Sequence, residues 1–213
     1  MFLYWLLYCI IWLPQKLLMP VKVYNKKKLL RKQAVILAGN HQSNLDVVAL
    51  AFGLGLEPNF LAKHQLFKNK FWTWFFRNLN CIPVKRGEVG LNTIRSVLGV
   101  LKANKPMVIF PEGARMKEMG DADSLKGGVA MFSLKSGCYI QPLFFLNKPG
   151  LFKINRLIVG DPFKLTEFEG QKLTNEILQK ASKVVGQKML ELRESFYLER
   201  AQKKNKKLNK KTV

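Results

Sequence analysis

The stretch "AVILAGNHQSNLDVVALAFGL", residues 34–54, changes character twice within 21 positions. Residues 34–39 are a short apolar run of the kind that forms a buried strand, and residues 44–55 carry the apolar spacing of a helix. Between them lies a polar turn, Asn40 to Asn44, with candidate helix caps at Ser43 and Asn44. A strand running directly into a helix is the opening half of a β-α-β unit, and it makes α/β the fold class to test along the rest of the chain.

Outward from this segment the alternation persists. Strand-like runs at 59–63, 81–84, 107–110, 139–145 and 152–160 are separated by helical stretches at 65–78, 89–103 and 126–136, and a long helix over 171–200 closes the domain. The expected architecture is therefore a mostly parallel sheet flanked by helices, preceded by an amino-terminal membrane-associated helical segment. A chain of 213 residues accommodates one such core with appendages. We expect an anchoring segment over 1–30, a catalytic domain over 31–200 and a basic flexible tail over 201–213.

In an open α/β sheet, ligands bind beyond the carboxyl ends of the strands. Four segments occupy such positions: "GNHQSNLD", "AKHQ", "VKRG" and "FPEGAR". Within one helix His41 and Asp46 would be about 140° apart around the axis and could not meet. With His41 in the loop and Asp46 in the first turn of the helix, the carboxylate can reach the imidazole. It would then fix the tautomer and leave the other ring nitrogen as a base. No GxSxG elbow supplies a nucleophile, so such a pair would activate a water or an alcohol brought by the substrate. By itself this spacing is equally compatible with a helix cap beside a hydrogen-bonded histidine.

The other three strand ends carry cations. Arg115 offers a planar fork suited to phosphate, and Lys63, Lys85 and Arg86 follow neighbouring strands. Lys126, before two glycines, is a weaker candidate. Ordinary surface charge is the plain alternative for Lys63 and Lys85.

Lys and Arg number 36 against 14 Asp and Glu, a formal net charge of +22, while 48% of residues are hydrophobic. The chain folds and seeks anions: nucleic acid, an anionic lipid surface or phosphorylated ligands. Nucleic acid is disfavoured because aromatic and basic residues are not interleaved as a stacking platform requires. Cys9, Cys81 and Cys138 are scattered and have no metal-ligand spacing, so neither a disulfide framework nor a metal or other cofactor is expected.

The run "MFLYWLLYCIIWL" (1–13) is shorter than the 20 or so apolar residues that span a bilayer, and lysines follow it at 16, 22 and 26–28. An interfacial anchor, peripheral or monotopic on the cytoplasmic face of the cell membrane, fits it better than a crossing or a cleaved signal. "FWTWFF" (71–76) has two readings, a helix packed on the sheet or a second membrane contact.

Taken together, "NHQSNLD", "PVKRG", "FPEGAR" and "YIQPLFF" resemble, in order and spacing, the four blocks of the bacterial 1-acyl-sn-glycerol-3-phosphate acyltransferase family. The resemblance covers about residues 35–145. It implies that His41 and Asp46 are catalytic, that Lys63, Arg86 and Arg115 bind substrate phosphate, that Glu112 and Gly113 shape the acceptor site, and that Pro142 lies on the acyl side. It further implies transfer of an acyl group from an acyl-ACP or acyl-CoA donor to the 2-hydroxyl of lysophosphatidic acid, the alternative acceptor being glycerol 3-phosphate or another lysophospholipid, with anionic membrane lipids as surroundings and no nucleic-acid partner. Departures from the family pattern are Ala114 for threonine, Met116 for serine and Gln141 for an aliphatic residue.

Overall fold

The computed structural model describes residues 2–85, 89–115 and 125–209. Its sheet has seven strands among these residues: β1 (Val21–Tyr24), β2 (Val35–Gly39), β3 (Asn59–Lys63), β4 (Cys81–Val84), β5 (Pro106–Ile109), β6 (Tyr139–Phe145) and β7 (Asn155–Val159). The spatial order is β1-β7-β6-β2-β5-β3-β4, and every pairing is parallel except β6 with β7. The fold is thus α/β with a mostly parallel sheet, as the alternation indicates.

β2 lies at the centre, hydrogen-bonded to β5 on one side and β6 on the other, and all five of its residues are buried. A strand covered on both faces has to be apolar throughout, which is why "VILAG" reads as a run rather than an alternation. Of the helices α1 (Phe2–Leu18), α2 (Asp46–Leu54), α3 (Lys70–Asn78), α4 (Leu91–Lys102), α5 (Gly128–Ser136) and α6 (Asn175–Asn209), α4, α5 and α6 supply the core on one face, around Val97, Phe132 and Met189. α2 covers the other face, packing Ala49, Leu50 and Leu54 over Val35, Leu37 and Leu157.

The last carbonyls of α2 are satisfied by cations from the chain before β2: Lys26 Nζ donates to Gly53 O at 2.7 Å, and Arg31 donates to Leu54 O and Gly55 O. Positive groups at a helix carboxyl end also oppose its dipole. Together these contacts fix the helix whose first residue is Asp46.

β1 is a strand the sequence reading does not contain. It falls inside the stretch 1–30 expected to be an anchor, yet it pairs with β7 and completes the sheet edge. Four residues, "VKVY", give too short a pattern to separate from the apolar run before them. The fully buried Gln141 joins the same region to the body, donating to Lys28 O and Gly160 O and accepting from Leu30 N–H. This departure from the family pattern therefore holds the chain before β2 in place. At the other end, α6 continues to Asn209, beyond the expected start of a flexible tail at 201, and Lys203 pairs with Glu199 one turn away.

α1 has 17 residues with Pro14 inside it, and no helix among the described residues is long and apolar enough to cross a membrane. Its Ile10, Trp12, Leu13, Leu17 and Leu18 are exposed.

Candidate active site

Where β2 ends, Asn40 closes the strand against β6. Its side-chain oxygen accepts from Phe145 N–H at 2.7 Å and its nitrogen donates to Phe145 O at 3.2 Å, all of it buried. The next residue is therefore launched from a rigid point, and that residue is His41. Asn40 opens the NHQSNLD block, but its role is not visible in the sequence, because its partner lies 105 positions away.

His41 and Asp46 meet. Nδ1 lies 2.6 Å from Asp46 Oδ2, the carboxylate is fully buried and the imidazole keeps 18% exposure. The same Oδ2 accepts from the N–H groups of Gln42 at 2.7 Å and Ser43 at 2.9 Å. An oxygen receiving these backbone donors acts as an acceptor towards the ring too, so Nδ1 carries the hydrogen and Nε2 keeps the lone pair. Phe110 stacks on the imidazole at 4.2 Å between centroids and fixes its plane.

The expected cap is corrected. The residue flanking α2 is Leu45, with no side-chain cap, and Ser43 Oγ instead accepts from Leu45 N–H. Asp46 does the folding work by reaching backwards to the loop N–H groups, so one carboxylate both forms the turn and orients the histidine. Asn44 Oδ1 accepts from the Arg115 guanidinium at 3.0 Å.

Glu112 closes the loop from beneath. Its Oε2 accepts from His41 N–H at 2.9 Å, and its Oε1, like Asp46 Oδ1, is buried without a hydrogen-bond partner. Burial pushes its carboxyl up to about 7, with the nearby Asp46 adding to the effect and the His41 N–H opposing it. Gly113 has φ +66°, where a side chain is strained, and a Cβ there would lie 2.7 Å from Lys126 Cδ.

These groups border a cavity of about 670 Å³. His41, Lys63, Lys85, Arg115 and Lys126 line it, so four cations, one each at the ends of β3 and β4 and two from the β5–α5 connection, share one space with the histidine. Its remaining wall is largely apolar, from Val47 and Val48 through Phe60, Leu61 and Phe76 to Val129 and Phe132. A cationic mouth leading to an apolar interior suits an amphiphile with a phosphate head.

Arg86 lies outside the described residues, as does Met116. Pro142 is buried in β6 opposite Ala38, against Gly160, and is not among the residues lining the cavity. Cys81 does line it, but burial raises its thiol to about 11, which keeps it from serving as a nucleophile.

A family model described as Acyltransferase matches residues 20–146. A Bacillus subtilis protein named 1-acyl-sn-glycerol-3-phosphate acyltransferase is 30% identical over 153 residues, covering 70% of this chain and 76% of that protein. Proteins of the same name are 26% identical in Streptococcus pneumoniae and 27% in Borreliella burgdorferi, covering 63% and 69% of this chain. The chain spans 52% and 64% of those two. The crystal structure of the 1-acyl-sn-glycerophosphate (LPA) acyltransferase from Thermotoga maritima superposes with a TM-score of 0.59 at 23% identity, covering 82% of this chain and 71% of that one, and so shares its fold. The matched span runs from the sheet edge through β6, taking in the His41 loop and all four cations, and on that footing the chain belongs to the acyltransferase family.

Proposed function

We propose that this chain transfers a fatty acyl group from an acyl thioester, carried on acyl carrier protein or CoA, to the 2-hydroxyl of lysophosphatidic acid. The product is phosphatidic acid, for phospholipid synthesis. The observation that carries this reading is the 2.6 Å pairing of His41 Nδ1 with the buried Asp46, beside a cavity that His41 lines together with four cations.

In this reading the acceptor's phosphate sits among Lys63, Arg115 and the Arg86 that follows β4, and its hydroxyl lies at His41 Nε2. The hydroxyl oxygen attacks the thioester carbon as its proton passes to Nε2. The carbon–sulfur bond then breaks, and the thiolate takes that proton as it leaves. A general base of this kind contributes about 10²- to 10⁴-fold, and fixing the phosphate supplies the positioning. Asp46 stabilises the imidazolium that forms in between. The apolar wall from Val47 to Phe132 takes acyl chain, and α1 rests at the membrane surface with its exposed apolar residues inserted.

The test is an acceptor panel. Purified protein is given radiolabelled acyl-CoA or acyl carrier protein thioester with lysophosphatidic acid, glycerol 3-phosphate or lysophosphatidylcholine, and the lipids are separated. Labelled phosphatidic acid from lysophosphatidic acid alone is expected. Label appearing only with glycerol 3-phosphate or lysophosphatidylcholine would overturn the acceptor assignment.

A further inference from the structure

The aromatic run at 71–76 has a decided place in the fold. It forms α3, and no residue of α3 is buried. Phe71 is 60% exposed, Trp72 43% and Trp74 53%, and Leu66 in the preceding turn adds 43%. The rings pack on one another, Phe71 against Trp72 at 5.3 Å and Trp72 against Phe75 at 5.7 Å, and so form one continuous apolar surface. A helix serving only to cover the sheet would turn such a stripe inward.

The surroundings have one sign of charge. Residues 58–87 contain six cations, Lys63, Lys68, Lys70, Arg77, Lys85 and Arg86, and no Asp or Glu. Lys63, Lys68, Lys70 and Arg77 are exposed beside the aromatic surface. On the inner side, Leu66 and Phe76 line the same cavity as His41 and Lys63. The apolar surface therefore reaches the cavity that holds His41.

We infer that α3 and the turn before it are a docking surface for an anionic lipid bilayer, through which the lipid acceptor reaches the cavity. Trp and Phe seat at the headgroup–acyl boundary while flanking Lys and Arg meet the lipid phosphates, an arrangement that matches both halves of this surface. Docking stands on the exposure and charge alone. The access route rests on the acyltransferase reading above.

The test uses the full-length Trp5→Phe/Trp12→Phe protein, in which Trp72 and Trp74 are the remaining tryptophans. It is mixed with phosphatidylglycerol vesicles whose acyl chains carry bromine. Emission blue-shifted and quenched about twofold is the expected result, as for indoles at acyl depth. Unshifted, unquenched emission from protein that floats with the vesicles, or failure to float, would overturn docking.

The access route is read separately with Trp72→Ser/Trp74→Ser. We expect KM for long-chain lysophosphatidic acid in vesicles to rise about tenfold, with kcat/KM for a short-chain, water-soluble analogue unchanged. Equal loss on both acceptors would overturn the route. Quenching with no transfer to either acceptor by the parent protein would sink the enzymatic reading and leave docking supported.

Discussion

Asp46 is the residue on which structure and chemistry both depend. Its buried Oδ2 receives His41 Nδ1 and two loop N–H groups, so Asp46→Ala strands those donors in a site with little water. We expect a loss of about 2–5 kcal/mol of stability along with activity, measured by urea unfolding. His41→Gln, in contrast, should unfold at nearly the parental urea concentration, because the ring is partly exposed. Arg115→Ala should raise KM for lysophosphatidic acid roughly tenfold with kcat little changed. An unchanged KM with a lower kcat would mean that the guanidinium serves the Asn44 contact rather than the phosphate.

Glu112 adds a pH dependence of definite sign. Its carboxyl sits near 7 in the folded protein against an ordinary value of 4.5, so the folded state holds a proton that the unfolded chain releases. This contribution to stability is complete below the lower value and lost as pH rises through the upper one. The urea midpoint should therefore fall between about pH 5 and about pH 8, and Glu112→Gln, which keeps an acceptor for His41 N–H, should flatten that fall. A parental profile already flat over this range would show that Glu112 is ionised in the fold. The sequence offers Glu112 as part of the acceptor site; its clasp on the His41 backbone depends on β5 lying beside β2, which spacing along the chain does not reveal.

Among the elements, the long runs were legible and the short or paired ones were not. β2 through β7 follow from apolar runs and the turns between them, because a parallel sheet covered on both faces makes its strands uniformly apolar. β1 escapes notice because four residues beside an apolar helix carry too little pattern, and it exists through its pairing with β7. Its position against α2 can be tested at Gly53, where an added Cβ would stand 2.8 Å from Val21 Cγ1. Gly53→Ala should cost about 1–3 kcal/mol by overpacking and loosen the sheet edge, seen as faster amide exchange in Val21–Tyr24. Unchanged exchange and stability would mean that β1 is not held by α2.

At the scale of the whole molecule, a charge of +22 is carried on a fold in which α1 and α3 each expose several large apolar residues. The composition alone admits several anionic partners. In the proposed reading the four cations around one largely apolar cavity take a phosphorylated amphiphile, and the positive surface favours an anionic bilayer. Binding to phosphatidylglycerol vesicles should accordingly weaken steeply with added salt, because only the electrostatic share is screened. Binding insensitive to salt would assign the attachment to apolar insertion alone.

The central claim is that His41, oriented by Asp46, is the base for acyl transfer to lysophosphatidic acid. It is tested most directly by the initial rate of phosphatidic acid formation from lysophosphatidic acid and an acyl thioester, compared between the parent and a His41→Gln protein of matched urea midpoint. The account predicts a rate lower by at least about 10² in the variant. A folded His41→Gln protein working at a rate near the parent's would contradict it.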